Sequence, residues 1–133
     1  MLTTHPGPVV AVVRAIAHAE PGCVAFHCAG GKDRTGLVVA MSLVVAGVEP
    51  EVVAADYALT EARLQVESDR ALAEITDERL HRIVSGLIPT PPENILSTLR
   101  HLDERYGGTV EYLRGGGMSA DQLAALRSRL REA

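Results

Sequence analysis

The chain has 133 residues, enough for one domain, and a net charge of −4 from 13 basic and 17 acidic side chains. Its 47 % hydrophobic and 23 % charged content excludes a disordered polar segment and predicts a packed core. The acidic balance offers no basic surface for nucleic acid, and two cysteines, Cys23 and Cys28, are too few for a disulfide scaffold. The longest uncharged apolar run, from Gly36 to Val48, is well short of the roughly 18 residues of a membrane span. The first residues carry no basic region followed by an apolar core and a cleavage site. A soluble, cytoplasmic chain is the expectation. Among the basic residues there is one lysine, Lys32, against twelve arginines.

Taken in chain order, Pro8 opens a helix in which Val9, Val12, Val13, Ile16 and Ala17 recur at helical spacing, and Pro21-Gly22 closes it. Cys23 to His27 is a short apolar run between a turn signal and a glycine pair, which predicts a buried strand. From Arg34 to Ala46 the residues are apolar on nearly all sides, so this helix should be largely buried. Gly47 is its natural C-cap, and Pro50 suits the first turn of the next helix, which runs to Arg63. A further helix is expected from Arg70 to Leu87 and another from Glu93 to Arg105, beyond Pro89, Pro91 and Pro92. A short piece follows around Val110 to Leu113, then the hinge or tight turn Gly115-Gly116-Gly117. Ser119 and Gln122 have capping-box spacing and start a last helix to about Arg131. One strand among six helices is an odd count for a complete domain.

The segment that carries chemistry is His27-Cys28-Ala29-Gly30-Gly31-Lys32-Asp33-Arg34-Thr35-Gly36. Glycines between a strand and a helix let successive backbone N–H groups turn inward, and the helix adds the positive end of its dipole. A phosphate dianion fits such a nest, with Arg34 offering a planar fork to two of its oxygens. The same field lowers the Cys28 thiol below its free pKa of about 8.5, which makes a thiolate nucleophile at neutral pH. His18, His27 and the cysteines lack the spacing of a zinc site, and no metal or organic cofactor is expected.

This string resembles the signature loop of the cysteine-dependent protein tyrosine phosphatases, in the form of the bacterial tyrosine/lipid phosphatase group. Asp56-Tyr57-Ala58-Leu59-Thr60, Glu104-Arg105-Tyr106-Gly107 and the stretch through Tyr112-Leu113 resemble later segments of that group. The resemblance covers Val24 to Leu130, the later part of the family domain. It implies an α/β, phosphatase-like fold, here mostly helical, which keeps the signature-loop strand while much of the family sheet is missing. It implies a phosphocysteine at Cys28, with Arg34 holding the phosphoryl oxygens. Thr35 would hydrogen-bond the sulfur, and His27 would support the loop. The phosphate-binding set is then Ala29, Gly30, Gly31, Lys32, Asp33, Arg34 and Gly36. Lys32 and Asp33 would line the pocket mouth, where a lysine suits substrates with more than one phosphate. The implied partners are phosphotyrosine proteins or phosphoinositides.

The chain also departs from that pattern. The family's general-acid aspartate precedes the cysteine, whereas the first aspartate here is Asp33 and the one upstream acid is Glu20. Twenty-seven residues cannot hold the sheet that should precede the nucleophile. Residues 1–133 therefore read as a single domain that is truncated, completed by another chain, or a remnant that binds phosphate without turnover. An exposed strand edge would favour a homodimer. Plainer roles stand beside the chemical ones. Lys32 would be a solvated lysine, and Asp33, the leading candidate for the acid if the short N-terminal stretch builds a complete fold, would pair with an arginine. Cys23 would pack in the core or form a regulatory disulfide with Cys28. Tyr57, Tyr106 and Tyr112 would be packing residues, and Arg127, Arg129 and Arg131 a solvated face.

Overall fold

The computed structural model describes residues 7–131, and within them the backbone forms eight helices and no strand. They are α1 (Gly7–His18), α2 (Asp33–Ala46), α3 (Pro50–Arg63), α4 (Gln65–Ala73), α5 (Glu78–Leu87), α6 (Pro92–Tyr106), α7 (Thr109–Gly115) and α8 (Ala120–Arg131). Residues 1–6 and 132–133, with any secretion signal the first of them would carry, lie outside the described residues.

Helix α2 is the centre of the packing and touches α1, α3, α7 and α8. Its apolar sequence on every side explains this, since Val38, Met41 and Val45 are buried along one stripe and Ala40 is buried on the other side of the helix. Ser42 is tolerated there because its hydroxyl donates to the Val38 carbonyl one turn back, at 2.8 Å. Helix α3 lies along α6 and buries Val53, Ala54 and Tyr57. Gly47 and Gly107 end α2 and α6 as left-handed C-caps, and Pro50 and Pro92 begin α3 and α6. The capping box of α8 is reciprocal: Ser119 N–H donates to Gln122 Oε1 at 3.0 Å, and Gln122 N–H to Ser119 Oγ at 3.2 Å.

Three expectations are corrected. The strand expected from Cys23 to His27 is extended chain without a ladder, so the described residues are helical and show no sheet. Val24 and Phe26 pack on the core as strand alternation requires, yet no described neighbour supplies the pairing that makes a strand. Cys23 is accordingly exposed rather than packed. The helix expected from Arg70 to Leu87 is two helices. Asp77 Oδ1 accepts the Leu80 N–H at 2.7 Å and caps α5, so the chain turns at residues 74–77. The C-terminal arginines also do more than face water. Arg127 Nε donates to Val45 O at 2.8 Å, while Arg129 donates to the carbonyls of Ala19, Glu20 and Gly22. These bonds fasten α8 to the end of α2 and to the segment that enters the cysteine loop.

Close approach of α2 and α3 depends on Gly36. A Cβ there would lie 2.8 Å from Tyr57 Cδ2 and 2.9 Å from Cε2. The Tyr57 ring is buried, so it has little room to yield. Gly36→Ala is expected to destabilise the fold by about 1–3 kcal/mol, the usual range for overpacking. Thermal unfolding checks this; an unchanged midpoint would show that the ring swings aside at no cost.

Candidate active site

The loop after the extended segment closes on the first turn of α2. Gly31 takes φ +62°, a left-handed conformation that favours glycine, and it brings the chain back toward Cys28. The backbone N–H groups of Gly30, Lys32 and Thr35 all donate to the Cys28 sulfur. Thr35 grips the cysteine twice. Its Oγ1 accepts the Cys28 N–H at 3.0 Å, and its hydroxyl donates to Sγ. The Cys28 thiol is lowered from 9.0 to about 6, first by the Thr35 hydroxyl, against partial desolvation, and then by the three backbone donors. A half-buried thiol with that anion field is a thiolate at neutral pH.

The other residues of the string take varied places. Arg34 is exposed and has no hydrogen-bond or ion-pair partner among the described residues. His27 is exposed, and its Nδ1 donates to Cys28 O at 3.1 Å, which steadies the loop from the solvent side. Lys32 differs from the expectation of a lysine free at the mouth. Its side chain is only 16 % exposed, and Nζ donates to the carbonyls of Leu87 and Ile88 at the end of α5. Carbonyls at a helix C-terminus attract a cation, so the ammonium is held there. Asp33 Oδ1 accepts the Tyr57 hydroxyl at 3.2 Å and lies 3.5 Å from Lys32 Nζ. Burial raises the Tyr57 phenol above its ordinary range, so it stays a donor. Cys28, Arg34 and Thr35 therefore converge, with Ala29, Gly30, Lys32 and Asp33, on one loop; Gly31 and Gly36 line a smaller recess behind it.

In front of the loop is a cavity of about 540 Å³. Cys28, Lys32, Asp33 and Arg34 form its floor, Thr60, Glu61 and Leu64 one side, and Glu67, Ala71, Val84 and Leu87 the arm built by α4 and α5. The arm residues were not evident as site residues from the sequence. Their signal is periodic, since Thr60, Leu64, Glu67 and Ala71 recur at helical spacing across the end of α3 and along α4, but it becomes readable only once these residues are known to meet the loop. Among the described residues no cluster of three or more metal-binding side chains occurs.

The Thr35 hydroxyl gives a direct expectation. Alkylation of Cys28 by iodoacetamide should rise with pH around a midpoint near 6. Thr35→Val removes the largest lowering contact and should move that midpoint upward. An unmoved midpoint would transfer the effect to the backbone donors.

The comparisons agree with this geometry. A family model described as the tyrosine phosphatase family matches residues 1–132. The chain is 32 % identical over 128 residues to a triple specificity protein phosphatase, PtpB, of Mycobacterium tuberculosis, covering 87 % of this chain and 46 % of that protein. It is 30 % identical over 129 residues to a tyrosine-protein phosphatase of Nostoc commune, covering 92 % of this chain and 44 % of that protein. The chain thus spans just under half the length of these relatives. A thiol ringed by backbone donors between an extended segment and a helix is what the family's signature loop requires, and the match runs along nearly the whole chain: it belongs to the tyrosine phosphatase family.

Proposed function

We propose that residues 1–133 are a single phosphatase domain, or the later part of one, that hydrolyses phosphomonoesters on phosphotyrosine proteins. The observation that carries this reading is the Cys28 sulfur, which receives the Thr35 hydroxyl and three backbone N–H groups and ionises near 6. In this reading the thiolate attacks phosphorus and forms an S–P bond while the ester oxygen leaves with a proton. Water then cleaves the S–P bond and releases phosphate. Arg34 holds two phosphoryl oxygens, and the loop N–H groups that hold the thiolate turn to the transferring oxygens. The Thr35 hydroxyl stabilises the sulfur as it leaves. Asp33 is the candidate proton donor, with Oδ1 already taken by Tyr57. Phosphoinositides are less well supported, because the ammonium that would meet their extra phosphates is engaged by α5. The name of the Nostoc commune relative supports phosphotyrosine chemistry, and that of the Mycobacterium tuberculosis relative supports a protein phosphatase.

Phosphate release from p-nitrophenyl phosphate and a phosphotyrosine peptide, in the presence of EDTA, tests the reading. Phosphate binding without release would favour the alternative, a phosphate-binding module without turnover. Asp33→Asn should slow poor leaving groups more than good ones; equal slowing would assign Asp33 to loop shape. The extended residues 23–27, with no backbone pairing among the described residues, support association of two copies, which sedimentation over a concentration range reads. Among the described residues no helix is long and apolar enough to cross a membrane, and cytoplasmic residence is part of the proposal.

A further inference from the structure

The charges around the cavity are not all available to a ligand. Lys32 Nζ is bonded to the Leu87 and Ile88 carbonyls and sits 3.5 Å from Asp33 Oδ1, so these two charges offset each other at the floor. Arg34, exposed and without a described partner, is left for the phosphate. The two remaining charged residues of the lining are both acidic, Glu61 on α3 and Glu67 on α4. Glu61 is fixed in place by Thr90, which is 1 % exposed. Thr90 N–H donates to Glu61 Oε2 at 3.0 Å, and Thr90 Oγ1 accepts the Glu61 N–H at 3.1 Å. Glu67 is exposed and has no ion-pair partner among the described residues. Between and around these carboxylates the wall is apolar, formed by Leu64, Ala71, Val84, Leu87 and Ile88.

A ligand seated with its phosphate on the loop therefore meets an apolar surface and then negative charge. A second phosphate would face Glu61 and Glu67 and be repelled. A lysine or arginine beside the phosphorylated residue would be attracted, and its methylene stem would lie on the apolar wall. We propose that this site selects phosphotyrosine flanked by basic residues, with Glu67 as the specificity-determining residue and Glu61 as its fixed companion. The proposal rests on the phosphatase reading above and adds to it the substrate class.

The test is equilibrium binding of two fluorescent phosphotyrosine peptides to the Cys28→Ser protein, which keeps the loop shape without turnover. The peptides are identical except for lysines or glutamates on both sides of the phosphotyrosine. The basic peptide should bind about fivefold or more tightly at low salt, the sum of two exposed charge pairs, and the preference should shrink at high salt. Glu67→Lys in the same background should bring the two affinities together or reverse them, and Glu67→Gln should fall between. Equal affinities, a preference unchanged by Glu67→Lys, or tighter binding of inositol trisphosphate than of the basic peptide would overturn the proposal. If neither peptide binds while the unmutated protein hydrolyses p-nitrophenyl phosphate, the substrate class fails alone. If that hydrolysis is also absent, the phosphatase reading fails with it.

Discussion

Cys28→Ser is expected to abolish phosphate release, with a loss on the order of 10⁴ to 10⁶ in kcat, the scale of nucleophile deletions in covalent hydrolases. The nest that lowers the Cys28 thiol to about 6 cannot ionise an alcohol, so a serine there stays a neutral hydroxyl. The donors that line the loop are backbone groups and Thr35, which the substitution leaves in place. Phosphate binding should therefore persist, read by protection of the protein against thermal unfolding. Cys23→Ser is the control. Cys23 is exposed, outside the cavity lining, and its replacement should leave turnover intact. Full activity in Cys28→Ser, or equal loss in Cys23→Ser, would remove the assignment.

The pH dependence follows with a definite sign. A thiol whose folded pKa is lowered to about 6 is a thiolate above that pH and a thiol below it. Activity on an aryl phosphate should rise as pH increases through 6, provided the substrate is already dianionic. The same shift adds stability above the pKa of the unfolded thiol, and this contribution is lost as pH falls through about 6.

How much of this was legible in the sequence divides along local and non-local lines. The nest depends on residues within eight positions of each other. Gly31 supplies the left-handed turn and Thr35 reaches back to Cys28. Each has a signature in residue type alone, so the loop was readable. The capping box at Ser119 and the C-cap at Gly47 were readable for the same reason. Lys32 was not, because its position is decided by carbonyls 55 and 56 residues away that only the fold brings near. Tyr57 looked like packing and is packing, yet its hydroxyl also holds Asp33 across the α2–α3 contact. The expected strand failed for a related reason. Val24 and Phe26 do pack on the core, but a strand is defined by its partner, and a short apolar run says nothing about that. The arm was missed because the Asp77 cap is a single-residue signal inside a stretch of otherwise continuous helical spacing.

Arg34→Ala should lower kcat/KM on the order of 10² to 10³, the range seen when one preorganised donor to a developing charge is removed. The expectation is large because no other cation in the cavity can take over. Lys32 is the second basic residue of the lining, and its Nζ is committed to the end of α5. Without the guanidinium, a phosphate dianion would face Asp33, Glu61 and Glu67 with only backbone donors to hold it. KM should rise along with the fall in kcat, since the fork contacts the ground state as well as the transition state. Arg34→Lys separates charge from geometry. A point charge restores attraction but not the two parallel hydrogen bonds, so the lysine variant should recover the KM more fully than the kcat. Combining it with Glu67→Gln should improve KM further, because the rim becomes less repulsive to the anion. Steady-state rates on p-nitrophenyl phosphate decide the matter. An Arg34→Ala protein within about threefold of the parent would mean that the backbone nest alone carries the phosphate and that the exposed guanidinium does not turn inward to meet it.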